Sequence, residues 1–283
     1  MRLNNALAIV AALVAGCDAP HSATTSSAAT PSFATPAEDG QADAAHNASP
    51  DASPEGEPVA LMTSLPLYWP IDADLASLAS GEATVPWPRV FLDPRYTLVP
   101  LDTLSVIAPL SSEGLPTDPL EGVARLAIVQ PRGLSPADNV ALDRWVRSGG
   151  RLLLALDPVL TGHYELPLGD PRLPSFTALI PPVVARWGLA IRFDDRARDA
   201  SRAVSLPGGQ ELLFRRPGEI YALPGGAGGC ALQDPAPIVQ CALGKGRVTL
   251  VADAAVFEHR ELAGSNGQRL RALMAFAFDD TAS

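Results

Sequence analysis

Basic residues are scarce in this chain, and lysine is almost absent. Lys and Arg together number 21 against 31 Asp and Glu, and Lys245 is the only lysine. Seven of the acids lie within residues 18–58, a stretch with no Lys or Arg. Without these acids and Arg2, the formal net charge of -10 becomes -4 for residues 59–283. Because nucleic-acid binding needs a basic surface, we expect no nucleic-acid partner.

The motifs that usually mark an active site or a cofactor site are missing as well. The chain has no G-x-S-x-G or G-x-C-x-G nucleophile elbow, no Walker A sequence and no G-x-G-x-x-G after a predicted strand. Histidine is rare, with only His163 and His259 in the predicted folded body, and no Cys/His cluster has metal-ligand spacing. We therefore expect a protein that is not an enzyme and that holds neither a metal nor a cofactor.

The amino terminus has the pattern of a targeting segment. Arg2 precedes an apolar run over residues 7–15, which is too short to cross a bilayer because a spanning helix needs about 20 residues. The residues Val14-Ala15-Gly16-Cys17 resemble a bacterial lipobox. We predict a lipoprotein signal peptide at 1–16 and lipidation of Cys17. The alternative is an ordinary secretory signal that happens to precede a cysteine, but the short run and the small residues favour the lipobox.

Cys17 would begin a tethered protein on the periplasmic side of a bacterial membrane. Asp18 resembles an inner-membrane retention signal, which favours that membrane over the outer one. Residues 17–58 are rich in Ala, Ser, Thr, Pro and Asp and lack apolar periodicity, which predicts a disordered tether. A flexible chain of this length reaches roughly 35 Å. The membrane is thus an expected partner through the lipid anchor.

The segment from Arg125 to Pro158 predicts a βαβ unit. Two short apolar runs, typical of parallel strands buried on both faces, enclose an amphipathic helix. Ser135 is the predicted N-cap, Pro136 the first helical residue, and Gly149-Gly150 the stop. The periodicity places four residues on the buried face and four toward solvent. The buried set is Val140, Ala141, Trp145 and Val146; the solvent set is Asp138, Asp143, Arg144 and Arg147.

Five parallel strands follow from the same reasoning applied to the whole body. They are predicted at residues 59–67, 96–99, 125–130, 151–156 and 247–252, with helices near 73–79 and 266–278. The first strand is expected to give way to a turn at Thr63 and Ser64. Right-handed crossovers favour the order 2-1-3-4-5. The predicted fold class is α/β, a flavodoxin-like sheet within residues 59–283.

Residues 161–245 do not alternate between strands and helices as the rest of the domain does, and their pattern predicts an antiparallel β-rich insertion. A helix is expected over 175–187, followed by strands near 190–193, 202–206, 211–214, 219–223 and 237–243. Gly208-Gly209 and Pro217-Gly218 are predicted hairpin turns. Cys230 and Cys241 flank a proline-containing turn in this insertion. In an oxidising compartment they form either a structural disulfide or two free buried thiols.

The candidate ligand rim lies where the parallel strands end, because ligands of doubly wound sheets bind there. The residues that fall at this edge are Thr63, Ser64, Gln130, Asp157 and Asp253, with His163 a little further along the chain. Asp157 and Asp253 could act with His163 as acid and base groups, or they could cap the turns that follow their strands. Tyr68, Trp69 and Trp87 could stack on a sugar or partner, or fill space beneath a proline-rich loop.

Three stretches resemble a known family. SPADNVALDRWVRSGGRLLLALDP, GKGRVTLVADAAVF and NGQRLRALMAFAF look like the glutamine-amidotransferase-like domain of auxiliary proteins of uncharacterised ABC-type transport systems, such as gliding-motility auxiliary components. The resemblance covers roughly residues 59–278. It implies a flavodoxin-like framework without the amidotransferase cysteine, and an ABC permease or ATPase as partner. Family members often carry a carboxy-terminal transmembrane helix, whereas this chain uses Cys17 as its predicted anchor.

These observations predict a non-catalytic, lipid-anchored periplasmic binding or auxiliary protein. Its α/β domain would bind a sugar or a protein, in association with an ABC-type transport system or another envelope protein. One alternative is an envelope hydrolase or amidase that uses Asp157, Asp253 and His163. Another is a purely structural envelope protein. The enzyme would need the three side chains to converge on one cleft.

Overall fold

The computed structural model describes residues 56–93, 95–111, 114–195, 201–224, 230, 232 and 234–280. The predicted signal peptide, Cys17 and nearly all of the predicted tether lie outside these residues. The strands are β1 (Glu57–Thr63), β2 (Tyr96–Pro100), β3 (Arg125–Val129), β4 (Arg151–Ala155), β5 (Leu189–Arg192), β6 (Ser201–Ser205), β7 (Glu211–Arg215), β8 (Glu219–Ala222), β9 (Ile238–Leu243) and β10 (Gly246–Val251). The helices are α1 (Leu75–Ser80), α2 (Trp87–Leu92), α3 (Pro136–Ser148), α4 (Pro182–Arg186), α5 (Ala255–Glu258), α6 (Arg260–Ala263) and α7 (Gln268–Phe278).

A six-stranded sheet with the order β2-β1-β3-β4-β10-β9 forms the centre of the described body. The first five strands in this order are parallel, so the α/β class is confirmed and the parallel strands follow the predicted order. β9 pairs antiparallel with β10 through a tight turn at Gly244-Lys245. Gly244 has a φ of 62°, which glycine adopts readily. Residues 238–243, predicted to belong to the insertion, are therefore the edge strand of the main sheet.

Alternate residues of the central strands form two separate apolar cores, one on each face of the sheet. Leu61, Val129, Leu153 and Val251 pack on one face with Leu270, Leu273 and Met274 of α7. Met62, Ile128, Leu154 and Leu250 pack on the other face with Leu142, Trp145 and Val146 of α3. The continuous apolar strands of the sequence are thus covered by helices on both sides.

Helix α3 forms as the sequence predicts, but its buried face is rotated. Ser135 caps it in a reciprocal capping box with Asp138, and the chain leaves the helix at Gly149. Val140, predicted to be buried, is 68% exposed, whereas Asp138, predicted to face solvent, is buried. Asp138 Oδ1 accepts hydrogen bonds from the amides of Leu104 and Ser105, each at 2.9 Å. The loop after β2 therefore covers this side of α3.

The insertion is less regular than predicted. The helix expected over 175–187 is only α4, and Pro181 and Pro182 mark its start. β6 and β7 pair as an antiparallel hairpin through the predicted Gly208-Gly209 turn. The prediction for Pro217-Gly218 was wrong, because β7 pairs with β6 whereas β8 pairs with β5. Gly218 instead packs against Ile191, Pro158 and Ala252, with no room for a side chain.

The helices near β1 and at the carboxyl end also differ from their predicted bounds. The helix predicted at 73–79 is α1, and α2 was not predicted, because Pro88 lies inside its proline-rich segment. The closing helix α7 begins two residues after the predicted position 266. Within the described residues, no helix has both the length and the apolar character needed to span a membrane.

Cys230 and Cys241 form a disulfide, with their Cα atoms 4.7 Å apart. The bond links the segment before β9 to β9 itself. Replacing both cysteines by serine should lower the free energy of unfolding by about 3 kcal/mol, because the unfolded chain regains the freedom of a short closed loop. Urea unfolding of the oxidised protein and of this double variant would measure the difference. Addition of a reductant should lower the stability of the unmutated protein only, and equal stabilities would contradict the expected role.

Candidate functional site

The residues predicted at the ligand rim do lie at the carboxyl edge of the parallel strands. Thr63 is half-buried and Ser64 is buried after β1. Gln130 and Asp157 have no exposed surface, and Asp253 is 2% exposed. Most of these predicted side chains are therefore inside the protein. A ligand on the surface of this edge would not touch them without a rearrangement.

Ser64 and Gln130 join the ends of β1, β3 and β4. Ser64 Oγ donates to the Gln130 carbonyl at 2.5 Å and accepts from the Ser175 amide at 3.1 Å. Gln130 Nε2 donates to the carbonyls of Ser175 at 2.7 Å and Asp157 at 3.1 Å. Gln130 Oε1 accepts from the Asp157 amide at 2.8 Å. Gln130 also has a φ of 45°, a strained value for a residue with a side chain, and this network holds it there.

Asp157 fastens the end of β4 to the end of β10. Its Oδ1 accepts from the Val159 amide at 2.8 Å, and its Oδ2 accepts from the Ala254 amide at 2.9 Å. The strand-ending Asp-Pro pair therefore acts as a turn cap, as one of the two sequence interpretations proposed. Both carboxylate oxygens therefore accept hydrogen bonds from backbone amides.

Asp253 makes the equivalent connection between β10 and the β6–β7 hairpin. Its Oδ1 accepts from the Ala255 amide at 2.5 Å, and its Oδ2 accepts from the Arg215 amide at 2.6 Å. The next residue, Arg216, has a φ of 57°. The two non-glycine residues with positive φ in the described chain are Gln130, which bonds to the Asp157 backbone, and Arg216, which follows the residue whose amide donates to Asp253.

The electrostatics of the two carboxyl groups are coupled. Burial raises the pKa of Asp157 to about 7, although hydrogen bonds from the Ala254 and Val159 amides lower it. Burial also raises the pKa of Asp253 well above its ordinary value, and the charge of Asp157 adds to this effect. The charge of Glu258 raises both pKa values, whereas Arg216 lowers that of Asp157. The pair is therefore reluctant to carry two negative charges near neutral pH.

His163 lies apart from this pair. Its side chain is exposed, in the segment between β4 and α4. Among the contacts of the described residues, no hydrogen bond joins His163 to either Asp157 or Asp253. The described geometry does not assemble the three residues into the acid, base and histidine set that the hydrolase hypothesis requires.

An open cleft at the same edge was missed by the sequence analysis. It has a volume of about 550 Å³, and its lining begins at Leu65 immediately after β1. We call it the aromatic cleft; proline and aromatic side chains line it: Pro66, Pro86, Trp87, Phe91, Tyr164 and Phe257. Its charged or titratable side chains are those of Asp72, His163, Tyr164, Glu258 and Arg260. Binding sites for small ligands have this size, and polar and apolar surface contribute about equally to the lining here.

Glu258, at the end of α5, holds one wall of the aromatic cleft. Its Oε1 accepts from the Tyr164 hydroxyl at 2.6 Å and from the Gly162 amide at 3.0 Å, and its Oε2 accepts from the Thr161 amide at 3.2 Å. Position 162 must be glycine for this approach, because a Cβ would lie 3.0 Å from the Glu258 carboxyl carbon. Burial raises the pKa of Tyr164, and Glu258 raises it further. The polar FEHRE segment after the last parallel strand was the available sequence signal for this residue.

The three aromatic residues singled out in the sequence have different environments. Trp87 lines the aromatic cleft and meets Phe91 edge to face at 5.7 Å between ring centroids. Tyr68 lies beneath the Arg89 guanidinium, 4.4 Å from the ring centroid, and so fills space under the proline-rich segment. Trp69 contacts Tyr68 edge to face and is 52% exposed. Only Trp87 of these three lines the aromatic cleft.

Comparison with known proteins gives no family. No family model matches the chain, and no curated protein matches it. Among solved structures, it is similar to the exo-beta-1,4-mannosidase Op5Man5 from Opitutaceae bacterium strain TAV5, at 14% identity over 81% of this chain and 37% of that chain, with a TM-score of 0.42. The beta-galactosidase from Rahnella sp. R3 is 11% identical over 78% of this chain and 31% of that chain, with a TM-score of 0.40.

A third similar structure is the mmIFT52 N-terminal domain, at 14% identity over 80% of this chain and 99% of that domain, with a TM-score of 0.47. The chain spans only about a third of the length of the mannosidase and the galactosidase. All three TM-scores are below 0.5, so we infer neither a substrate nor an activity from these likenesses.

Proposed function

We propose that this chain is a non-catalytic, lipid-anchored binding protein on the periplasmic side of a bacterial membrane, which presents its α/β domain to a ligand or partner as an auxiliary component of an ABC-type transport system. The observation that carries the proposal is that one edge of the sheet has buried carboxyl groups next to an open cleft. The carboxyl groups that could do acid-base chemistry are buried and hydrogen-bonded to backbone amides. The aromatic cleft beside them is open and lined for binding.

The amino-terminal sequence supports the anchoring part of the proposal. Val14-Ala15-Gly16-Cys17 resembles a lipobox, and an acidic, apolar-poor stretch separates it from the first strand. A lipid-modified cysteine with more than one acyl chain gives a stable membrane anchor, whereas one chain is marginal. A tether of about 40 residues would let the domain reach a partner roughly 35 Å from the anchor.

The resemblance to amidotransferase-like auxiliary domains supports the transport part of the proposal. We propose that the fold is flavodoxin-like in detail, and the parallel strand order β2-β1-β3-β4-β10 supports this. Of the three cysteines in the chain, two form a disulfide and the third is the proposed lipidation site. An amidotransferase framework without its nucleophile is suited to binding.

The test is crosslinking of the full-length protein in its native membrane, followed by mass spectrometry of the co-purified proteins. We expect an ABC permease or its ATPase in near-equal amounts with the chain. The matched control is a Cys17→Ser variant in which an ordinary secretory signal replaces residues 1–16, because a lipoprotein signal is not removed without the modified cysteine. This variant should leave the membrane fraction and should lose most of the crosslinked partner, while the folded domain keeps its melting temperature.

Two results would contradict the proposal. Membrane retention of the Cys17→Ser variant would show that the cysteine is not the anchor. Recovery of the chain alone, together with hydrolysis of an amide or glycoside that Asp157→Asn abolishes, would favour the envelope hydrolase or amidase. The same loss of activity in a variant of the exposed His163 would identify the predicted set of residues.

A further inference from the structure

Three side chains that line the aromatic cleft are acidic or basic: Asp72, Glu258 and Arg260. Glu258 lies in its wall and already accepts three hydrogen bonds from Thr161, Gly162 and Tyr164. Asp72 and Arg260 are exposed lining residues. Within the part of the chain that the structure describes, no carboxylate pairs with Arg260 and no cation pairs with Asp72. Besides Glu258, whose carboxylate is taken up by three hydrogen bonds, the cleft therefore has one carboxylate and one guanidinium without an ion-pair partner among the described residues.

Arg260 stacks on an aromatic ring, and no described residue forms an ion pair with it. Its guanidinium carbon lies 5.1 Å from the centroid of the Phe91 ring. The Phe91 ring also lies directly against Gly267, where an added Cβ would be 2.5 Å from the ring. A cation placed over an aromatic ring retains hydrogen-bonding protons at its edge. Arg260 is thus a preorganised donor for an incoming anionic group, and carboxylates match the guanidinium geometry best.

One part of the lining is aliphatic and favours apolar groups of a ligand over sugar hydroxyls. Val85 is 44% exposed and Val90 is 51% exposed, and both line the aromatic cleft beside several prolines. A sugar ring would bring hydroxyl groups against these aliphatic surfaces, and buried hydroxyl groups without partners are unfavourable. The carboxylate of Glu258, which could have accepted sugar hydroxyls, is occupied by the wall segment. Aliphatic side chains fit this surface without such a cost.

We infer that the aromatic cleft binds a short peptide with apolar side chains, whose terminal carboxylate pairs with Arg260. This inference rests on the proposed binding function and names the ligand class for it. The apolar side chains lie against Trp87, Val85 and Val90, and the free amino terminus is compatible with the exposed Asp72. One peptide molecule can pair with both charged residues through its two termini and contact the apolar walls with its side chains.

The test measures binding of two dipeptides by calorimetry to the full-length chain in phospholipid nanodiscs, with empty nanodiscs as the blank. Leu-Leu with a free carboxylate is compared with Leu-Leu amide, which differs only in the terminal group. We expect the free acid to bind about tenfold more tightly, because a hydrogen-bonded charge pair is made with one ligand only. Maltose is the sugar probe and should not bind measurably.

Two arginine variants provide the matched comparison. Arg260→Gln should reduce the tenfold preference to about one, while its affinity for the amide stays unchanged. Arg202→Gln removes an exposed arginine from the β6–β7 hairpin and should keep the full preference. Trp87→Ala should weaken both dipeptides by the same factor. Unchanged thermal melting of the Arg260→Gln variant would exclude misfolding as the cause.

The outcomes separate this inference from the proposed function. Equal affinity for acid and amide, or retention of the preference in Arg260→Gln, would overturn the role of Arg260. Binding of maltose in place of the dipeptides would overturn the peptide inference and leave a binding protein. Absence of binding by all three probes, while a transport protein still crosslinks to the chain, would overturn the inference alone. Absence of both binding and crosslinking would remove the proposed function as well.

Discussion

Replacing Asp157 by asparagine is expected to flatten the pH dependence of folding stability between about pH 4 and pH 7. Burial raises the pKa of Asp157 from an ordinary value of 3.8 to about 7. Over this range the folded protein holds a proton that the unfolded chain has released. Stability is therefore greatest at the acidic end and falls as the pH rises through the folded pKa, by roughly 4 kcal/mol for a shift of this size.

Asp253 also makes the folding stability fall as the pH rises. Burial raises its pKa, and so does the charge of Asp157. In the Asp157→Asn variant the neighbouring charge is gone at every pH, so part of the dependence that belongs to Asp253 should also disappear. Asp138 acts in the opposite direction: burial opposes its ionisation, but hydrogen bonds from Ser135, Leu104 and Thr103 lower its pKa. Its contribution is lost only below about pH 4, where the unfolded carboxyl begins to protonate.

Urea unfolding at half-unit intervals from pH 4 to pH 8 would measure these slopes. The unmutated protein should lose stability steadily, the Asp157→Asn variant should lose less, and the Asp157→Asn/Asp253→Asn double variant should be nearly flat. Asparagine keeps the volume of the side chain but loses one of the two acceptors that bond to backbone amides, so each variant should be less stable at every pH. The ionisation is therefore read from the slopes with pH and not from the absolute stabilities. A single variant with the unmutated slope would show that the buried pair does not hold a proton in the folded protein.

Replacing Gly246 by alanine is expected to be the most damaging small substitution in the described fold. Gly246 begins β10 where that strand passes the carboxyl end of α3, and an added Cβ would collide with the carbonyl oxygens of Val146 and Gly150. Both are backbone atoms, so no side chain can rotate away. A loss of about 4 kcal/mol is expected, because β10 or α3 would have to shift.

A second glycine provides the control. Gly122 has a φ of 74°, but a Cβ there would have nothing within 4 Å. Gly122→Ala should cost only about 1 kcal/mol, the price of a left-handed backbone in a residue with a side chain. Chemical unfolding of both variants, followed by circular dichroism, would test the comparison. If the Gly246→Ala protein were as stable as the Gly122→Ala protein, β10 and α3 would not be packed as closely as the structure shows.

The βαβ unit from β3 to β4 could be predicted because its signals are local. Ser135, Pro136 and Gly149 occupy the start and stop positions of α3 that their backbone preferences require. The rotation of the buried face could not be predicted in the same way. Asp138 is buried by the loop at Leu104 and Ser105, more than thirty positions earlier in the chain. Helical periodicity contains no information about which distant loop will cover the helix.

The candidate site, too, could be predicted from the sequence only in part. The edge at which Ser64, Gln130, Asp157 and Asp253 lie follows from where parallel strands end, and the sequence indicates those positions. Their burial does not follow from it, because one of the two amides that bond to Asp253, that of Arg215, belongs to a hairpin nearly forty positions away. The aromatic cleft was missed because its walls come from α2, the segment after β4 and the segment after β10. None of these segments has a motif of its own.

By itself, the sequence of this protein determined the α/β class, the order of the parallel strands and the edge that carries the site. Each depends on apolar periodicity, capping residues and crossover handedness, which act between residues close in the chain. Only the tertiary structure decided that β9 joins the main sheet, that the strand-end carboxyl groups are enclosed and that Glu258 builds the wall of an open cleft. The enclosed carboxyl groups and the cleft wall depend on contacts between segments far apart in the chain, such as Glu258 with Gly162, which no local pattern specifies. β9 joins the sheet through a short turn to β10, but the place of β10 in the sheet is set by its pairing with the distant β4.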